Sequence, residues 1–320
     1  MDLMNSLLNF FVPPASLLML AFTWPTLFFI TTCEWLYNTY FNSENMEDKV
    51  VLITGASSGI GEIITEKRML FAINTANCLS ICKKRANLVL VARRDHRLRG
   101  ISENARRLGA PNVLIMAADV VKEEEMQEIY HRNNQLLRTC GSSSQHCESW
   151  TYFLLRGSYR LECVSHFNGY KLLGQCISNL CGAALSSESN GRIIVNASVE
   201  NWLPLPRMSL YSAAKSALIN FYETLRFEVK NEVGITVATH GWIGTEMTRG
   251  KFMVEEGAEM QWKEEREVHV TGGPVEEFAK QIVSGACRGD PYVKYPSWYD
   301  IFFLYRVFAP KVLDWTFRFL

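Results

Sequence analysis

"DKVVLITGASSGIGE", Asp48 to Glu62, is the stretch whose reading decides the fold. Val50 to Thr54 is an apolar, β-branched run of strand length. Gly55, Gly59 and Gly61 follow at Gly-x-x-x-Gly-x-Gly spacing and open what reads as a helix. A strand that turns sharply into a helix, with its backbone close to a pyrophosphate, has no room for side chains in the turn. The helix N-terminus then offers unpaired N–H groups and a positive dipole end to the phosphates. Thr54, Ser57 and Ser58 surround the turn and strengthen the reading.

Working outward, a second strand reads as "ANLVLVARR", Ala86 to Arg94. Residues just past such a strand meet an adenosine ribose. An acid there suits a free 2′-hydroxyl, whereas Arg93 and Arg94 favour a 2′-phosphate and hence NADP. Two solvated surface arginines are the plainer alternative. A third strand, "NVLIMAADV", ends at Asp119 and Val120. Asp119 stands where it can accept from the adenine amino group, or simply cap a helix.

The chemistry sits further on, in "NASVENWLPLPRMSLYSAAK", Asn196 to Lys215. It ends in Tyr211-x-x-x-Lys215, with Ser198 thirteen residues before the tyrosine, straight after the apolar strand "RIIVNAS". Moving a hydride between a nicotinamide and a carbinol carbon needs a matched proton transfer at oxygen. A phenol with pKa ~10 is a poor base at neutral pH. A nearby ammonium favours the phenolate. Lys215 lies one helical turn from Tyr211 on the same face. A serine at the strand end can hydrogen-bond the substrate oxygen as charge develops. An ordinary surface pair would carry no such serine.

Together these residues resemble the short-chain dehydrogenase/reductase family, over roughly 48–130 and 188–290. The anchor described below and "ENWLPLP" look most like its plant 11β-hydroxysteroid dehydrogenase-like members, the steroleosins of lipid droplets. The resemblance implies an α/β fold, one doubly wound parallel (Rossmann) sheet with helices on both faces. It implies Ser198, Tyr211 and Lys215 as catalytic residues, with Lys215 also holding the nicotinamide ribose. It implies cofactor contacts at Gly55, Ser57, Ser58, Gly59, Ile60, Gly61, Arg93, Arg94, Asp119, Val120, Tyr211, Lys215 and Thr245. "HGWIGTEM" occupies the segment after the sixth strand, with His240-Gly241 where the family has Pro-Gly. The implied substrate is an apolar, steroid-like small molecule, met at the endoplasmic reticulum or a lipid droplet.

Two stretches depart from the family pattern. Residues 62–84 hold an insertion with poor helical periodicity after Phe71. From 131 to 187 the family places a fourth apolar strand and a helix bearing an asparagine that orders a relay water. This run has no proline, no aspartate, one valine and one isoleucine, so neither element is expected and the segment reads as irregular. Its length is nevertheless right. "FNGYKLLG", Phe167 to Gly174, can be coded so that a start one base later gives Leu-Met-Asp-Ile-Asn-Phe-Trp. The missing asparagine then falls across Lys171 and Leu172, 27 residues before Ser198. The segment therefore reads as a shifted frame, in the transcript or in the gene prediction.

The chain has three parts on this reading: an anchor at 1–40, a dehydrogenase domain at 47–290, and an aromatic interfacial segment at 291–320. No charged residue falls between Leu3 and Cys33, which is long enough to span a bilayer. Pro13, Pro14 and Pro25 argue against one straight helix there, leaving a kinked span or a re-entrant insertion. The closing "PSWYDIFFLYRVFAPKVLDWTFRFL" suits an interfacial helix beside the anchor or a pocket-covering element of a homodimer. "KFMVEEGAEMQWKEEREVHVTGG" stands where the family has its substrate lid, with a charged surface helix as the alternative. Lys and Arg together number 33 against 33 Asp and Glu, with no basic stripe, which argues against a nucleic-acid partner. None of the nine cysteines sits in a Cys-x-x-Cys, so no metal site is expected. A non-catalytic membrane-surface protein that keeps part of the fold is the rival to the enzyme.

Overall fold

The computed structural model describes residues 2–40, 44–57, 60, 85–119, 124–125, 127–129, 131–133, 135, 149–153, 191–203, 205, 209–229, 233–243, 251–253, 260–262 and 273–318. The chain forms two compact units, Met1–Glu44 and Asn45–Leu320.

The first unit is one helix, α1 (Asp2–Tyr40), and it runs on through Pro13, Pro14 and Pro25. The helix is continuous, as the kinked-span alternative allows. Each proline removes only its own N–H from the ladder, and the flanking turns keep theirs. The hydroxyls of Ser16, Thr23 and Thr32 donate to carbonyls one turn back, at Val12, Met19 and Phe28. Such back-bonding suits a helix without water around it. Phe10–Asn38 has a mean hydropathy of 1.6 and none of it is buried by protein, so it is long and apolar enough to cross a membrane.

The second unit is built on seven parallel strands. They are β1 (Val50–Thr54), β2 (Asn87–Ala92), β3 (Val113–Ala117), β4 (Ser149–Phe153), β5 (Arg192–Ser198), β6 (Gly234–His240) and β9 (Tyr292–Tyr295). Their spatial order is β3-β2-β1-β4-β5-β6-β9. The order reverses between β1 and β4, which opens a crevice at the carboxyl ends of those strands. Successive side chains of a strand face opposite sides of the sheet, and β1 and β2 are apolar on both. Val51, Ile53, Leu88 and Leu90 pack on one face with Leu98 and Ile101 of α2 (Asp95–Arg107) and Phe278 and Ile282 of α4 (Val275–Arg288). Val50, Leu52, Val89 and Val91 pack on the other, in the core that holds Leu218 and Tyr222 of α3 (Ser209–Glu228).

The fourth strand corrects the sequence reading. Ser149–Phe153 pairs with β1 on one side and β5 on the other, inside the 131–187 run where no strand was expected. The sequence is Ser-Trp-Thr-Tyr-Phe. Aromatic and β-branched residues fit a pleated surface as well as valine does, but they lack the aliphatic signature sought there. The family asparagine expected across Lys171 and Leu172, and the insertion at 62–84, lie outside the described residues.

Beyond β6, Lys251–Met253 (β7) and Met260–Trp262 (β8) form an antiparallel ribbon. These residues are therefore strands, and the surface-helix alternative does not hold for them. The chain closes with α5 (Asp300–Phe308) and α6 (Pro310–Phe317).

Glycine permits a tight helix–strand contact at α4. A Cβ on Gly285 of α4 would stand 2.4 Å from Val293 Cγ2 of β9. Gly285→Val is expected to cost about 1–3 kcal/mol by overpacking. Gly100 in α2 has open space around it, so Gly100→Ala is expected to gain about 0.5–1 kcal/mol of helix propensity. Thermal melts of the two variants check both signs.

Candidate active site

The site residues arrive from the ends of β1, β2, β3, β5 and β6 and from one helix. β5 delivers Asn196 and Ser198 to its carboxyl end. A 3₁₀ turn (Val199–Asn201) follows at once. That turn is tied to α3 by Ser216, whose hydroxyl donates to the Asn201 carbonyl at 2.8 Å. α3 in turn presents Tyr211 and Lys215 on one face.

Lys215 is 3% exposed, and its Nζ donates to the Asn196 carbonyl at 2.8 Å. The same Nζ stands 5.7 Å from the centre of the Tyr211 ring. Ser198 is fully buried, and its Oγ donates to the His240 carbonyl at the end of β6 over 3.3 Å. Ser198, Tyr211 and Lys215 are thus brought to one place. Burial pulls the Lys215 ammonium down to about 8, and the Glu200 carboxylate opposes that fall.

Sequence reasoning missed Glu200 as a member of this group. It lies two residues past Ser198, inside a turn between buried elements, which was the available signal. It is 6% exposed; burial raises its carboxyl above the usual range, while its own backbone N–H and Lys215 pull it back. His240, noted only as a departure from Pro-Gly, is buried too. Burial lowers its imidazole to about 4, against an upward pull from its Nδ1 contact with the Gly241 carbonyl at 2.7 Å.

On the other side of the crevice, Gly55 takes φ = 67°, a left-handed conformation that favours glycine, at the exit of β1. Arg94 is fully buried. Its guanidinium donates to the Ser57 carbonyl at 3.1 Å and to Ser57 Oγ at 3.3 Å, so it braces the glycine turn from within. Arg93 is different: its side chain keeps 29% exposure and stands 3.7 Å from Asp119. The two arginines predicted to share one role are therefore in two places. The backbone N–H of Asp119 also donates to the Glu125 carboxylate at 2.6 Å. Ile60 is buried. Ser58, Gly59, Gly61, Val120 and Thr245 lie outside the described residues.

The donors and the acceptor at the strand ends together fit a phosphorylated dinucleotide. Glycine-cornered backbone ends β1, a partly open guanidinium ends β2, a carboxylate ends β3, and a buried ammonium stands beyond β5.

His240 gives the site a pH dependence of stability. Its folded value is below the unfolded one of about 6.5, so the unfolded chain binds the extra proton between those values. Stability from this group is present above pH 6.5 and is lost as pH falls toward 4. The loss amounts to at most about 3 kcal/mol. Melts from pH 7 to 4 are expected to fall more steeply for the native protein than for His240→Gln.

The comparisons agree with this geometry. The short chain dehydrogenase family model matches residues 171–255. An 11-beta-hydroxysteroid dehydrogenase B of Sesamum indicum is 72% identical over 333 aligned positions, covering 100% of this chain and 85% of that protein. The 11-beta-hydroxysteroid dehydrogenase-like 5 of Arabidopsis thaliana is 54% identical, covering 100% and 79%. Among solved structures, a short-chain dehydrogenase from Sphingobium yanoikuyae in complex with NADPH shares the fold with a TM-score of 0.56. It is 20% identical and covers 83% of this chain and 95% of its own. With the sheet, the crevice and the serine, tyrosine and lysine at one strand end, these likenesses place the chain in the short-chain dehydrogenase/reductase family of oxidoreductases, among plant 11-beta-hydroxysteroid dehydrogenase-like proteins.

Proposed function

We propose that this protein is a membrane-anchored oxidoreductase that interconverts a hydroxyl and a keto group on a steroid-like lipid, using NADP(H). The observation that carries the reading is the buried Lys215 ammonium, bonded to the Asn196 carbonyl and set beside the Tyr211 ring at the strand end that carries Ser198.

In the oxidising direction Tyr211, as phenolate, takes the hydroxyl proton while the carbinol carbon gives up its hydride. In the reducing direction its O–H returns that proton to the oxygen. NADP, when bound, accepts or returns the hydride. Lys215 stabilises the phenolate by its charge. Among the described residues Ser198 Oγ is held by one long bond, to the His240 carbonyl, so it can turn to donate to the substrate oxygen. Arg93 is the arginine left to meet a 2′-phosphate, since Arg94 is committed to Ser57. Val120 and Thr245 keep the roles that the family resemblance gives them.

The apolar substrate has support nearby. Trp202, just past the 3₁₀ turn, meets Phe303 of α5 edge-to-face at 5.6 Å. Tyr299 Oη accepts from the Trp242 backbone N–H at 3.3 Å, which holds the start of α5 beside the end of β6. Trp298, Phe308 and Trp315 are exposed on the closing segment, and Arg306, Lys311 and Arg318 are interspersed. That mixture suits a membrane or lipid-droplet surface. α1 is the anchor on this reading, at the endoplasmic reticulum or a droplet.

A second reading, a catalytically impaired surface protein, has one observation in its favour. Asn133 is fully buried with neither amide atom hydrogen-bonded. A buried polar group without partners costs stability, and this one falls in the run that reads as a shifted frame.

Tyr211→Phe separates the readings. A working centre is expected to lose about a hundredfold to ten-thousandfold in turnover of a hydroxysteroid, with the melting temperature unchanged. No turnover in the native chain would favour the impaired protein. Arg93→Asp is expected to lower the NADPH-over-NADH ratio of kcat/KM by about tenfold to a hundredfold, the worth of a charge-assisted hydrogen bond.

A further inference from the structure

We propose that Glu200 is a positioning residue of the proton-transfer centre: its carboxylate, enclosed between the end of β5 and α3, keeps Lys215 charged. The proposal deepens the reading above and rests on it for its catalytic meaning, though not for its physical core.

Glu200 sits in the 3₁₀ turn that leads away from Ser198, and the Ser216 to Asn201 bond fixes that turn to α3. One of its carboxylate oxygens, Oε2, is buried and makes no hydrogen bond. A buried carboxylate without a bond on one oxygen is costly unless a charge of opposite sign shares its surroundings. Lys215, one turn beyond Tyr211, supplies that charge. The converse also holds. An ammonium enclosed to 3% exposure would shed its proton readily, and the carbonyl of Asn196 alone offers a dipole, not a charge.

The groups that face this pair come from each neighbouring element. Ser198 comes from β5, Tyr211 from α3, and His240 from β6. His240 acts against Lys215, since each disfavours the other's charge. His240 stays neutral above its low value, so among the described residues Glu200 is the group that raises the proton affinity of Lys215. Tyr211 profits indirectly. An ammonium that survives into mildly alkaline conditions keeps the phenolate accessible across the working range.

The test uses the full chain in detergent micelles, labelled with ¹³C at lysine Cε. The Lys215 signal is assigned by its loss in Lys215→Met. Its titration midpoint is expected near 8 in the native protein. Glu200→Gln is expected to lower the proton affinity of Lys215 at least tenfold. Glu200→Asp is expected to restore most of it. With hydroxysteroid oxidation as a second readout, Glu200→Gln is expected to raise the acid limb of the pH profile and lower the alkaline limb. A merely structural glutamate would change the melting temperature and leave the midpoint and both limbs in place, which would overturn the proposal. If Glu200→Gln does not fold, Glu200→Met carries the same test, and a midpoint coincident with the native one is fatal. The resonance needs no substrate, so its failure is separate from a failure of the assigned reaction.

Discussion

The bond from Lys215 Nζ to the carbonyl of Asn196 is the contact on which the rest of the site depends. It joins a helix to a strand end across a buried gap. It fixes how far α3 can slide along β5, and so where Tyr211 stands relative to Ser198. An ammonium is an expensive group to enclose. The structure offsets that cost with one carbonyl, one carboxylate and the face of a ring. Sheet register places the carbonyl, with Asn196 opposite Ala238, and brings Ser198 opposite His240; the carboxylate sits in the turn that follows and the ring on α3. The sheet therefore does more than form a core. It sets the spacing between a hydroxyl and an ammonium that are seventeen residues apart in sequence.

Much of this was legible in the sequence because it depends on local rules. The "VVLIT" run is apolar on both faces and had to be a strand buried between two layers. The placement of Ser198 at a strand end and of Tyr211 and Lys215 on one helix was legible, because an apolar strand run and a four-residue helical spacing are local patterns. The prolines of α1 leave the helix continuous, as a kinked span allows, since each removes one N–H while the neighbouring turns stay intact. β4 was missed because Trp, Thr and Tyr, not Val and Ile, fill the strand. Arg93 and Arg94 are adjacent in sequence and so face opposite ways from a strand end. Pattern alone gave them one role, and the structure sends one into the glycine turn and leaves the other at the crevice. Glu200 was missed as a site residue because its place two residues past Ser198 was a weak signal, and only packing shows how completely it is buried.

The 131–187 run holds the tension in the molecule. Ser149–Phe153 completes the sheet between β1 and β5, so the crevice has both of its walls. Asn133, a few turns earlier in the chain, is enclosed without a hydrogen bond. A strand pairs through its backbone and tolerates many side chains, whereas a helix packed on a core must match it residue by residue. We propose that a displaced reading frame is compatible with the first and penalised by the second.

The central claim is that the chain, with this segment as it stands, still forms a site for NADP(H). Titrating NADPH fluorescence against the purified full-length protein tests it most directly. The account predicts saturable binding at one site per chain, with NADH bound more weakly. Absence of any saturable NADPH signal from a protein that melts cooperatively would contradict it.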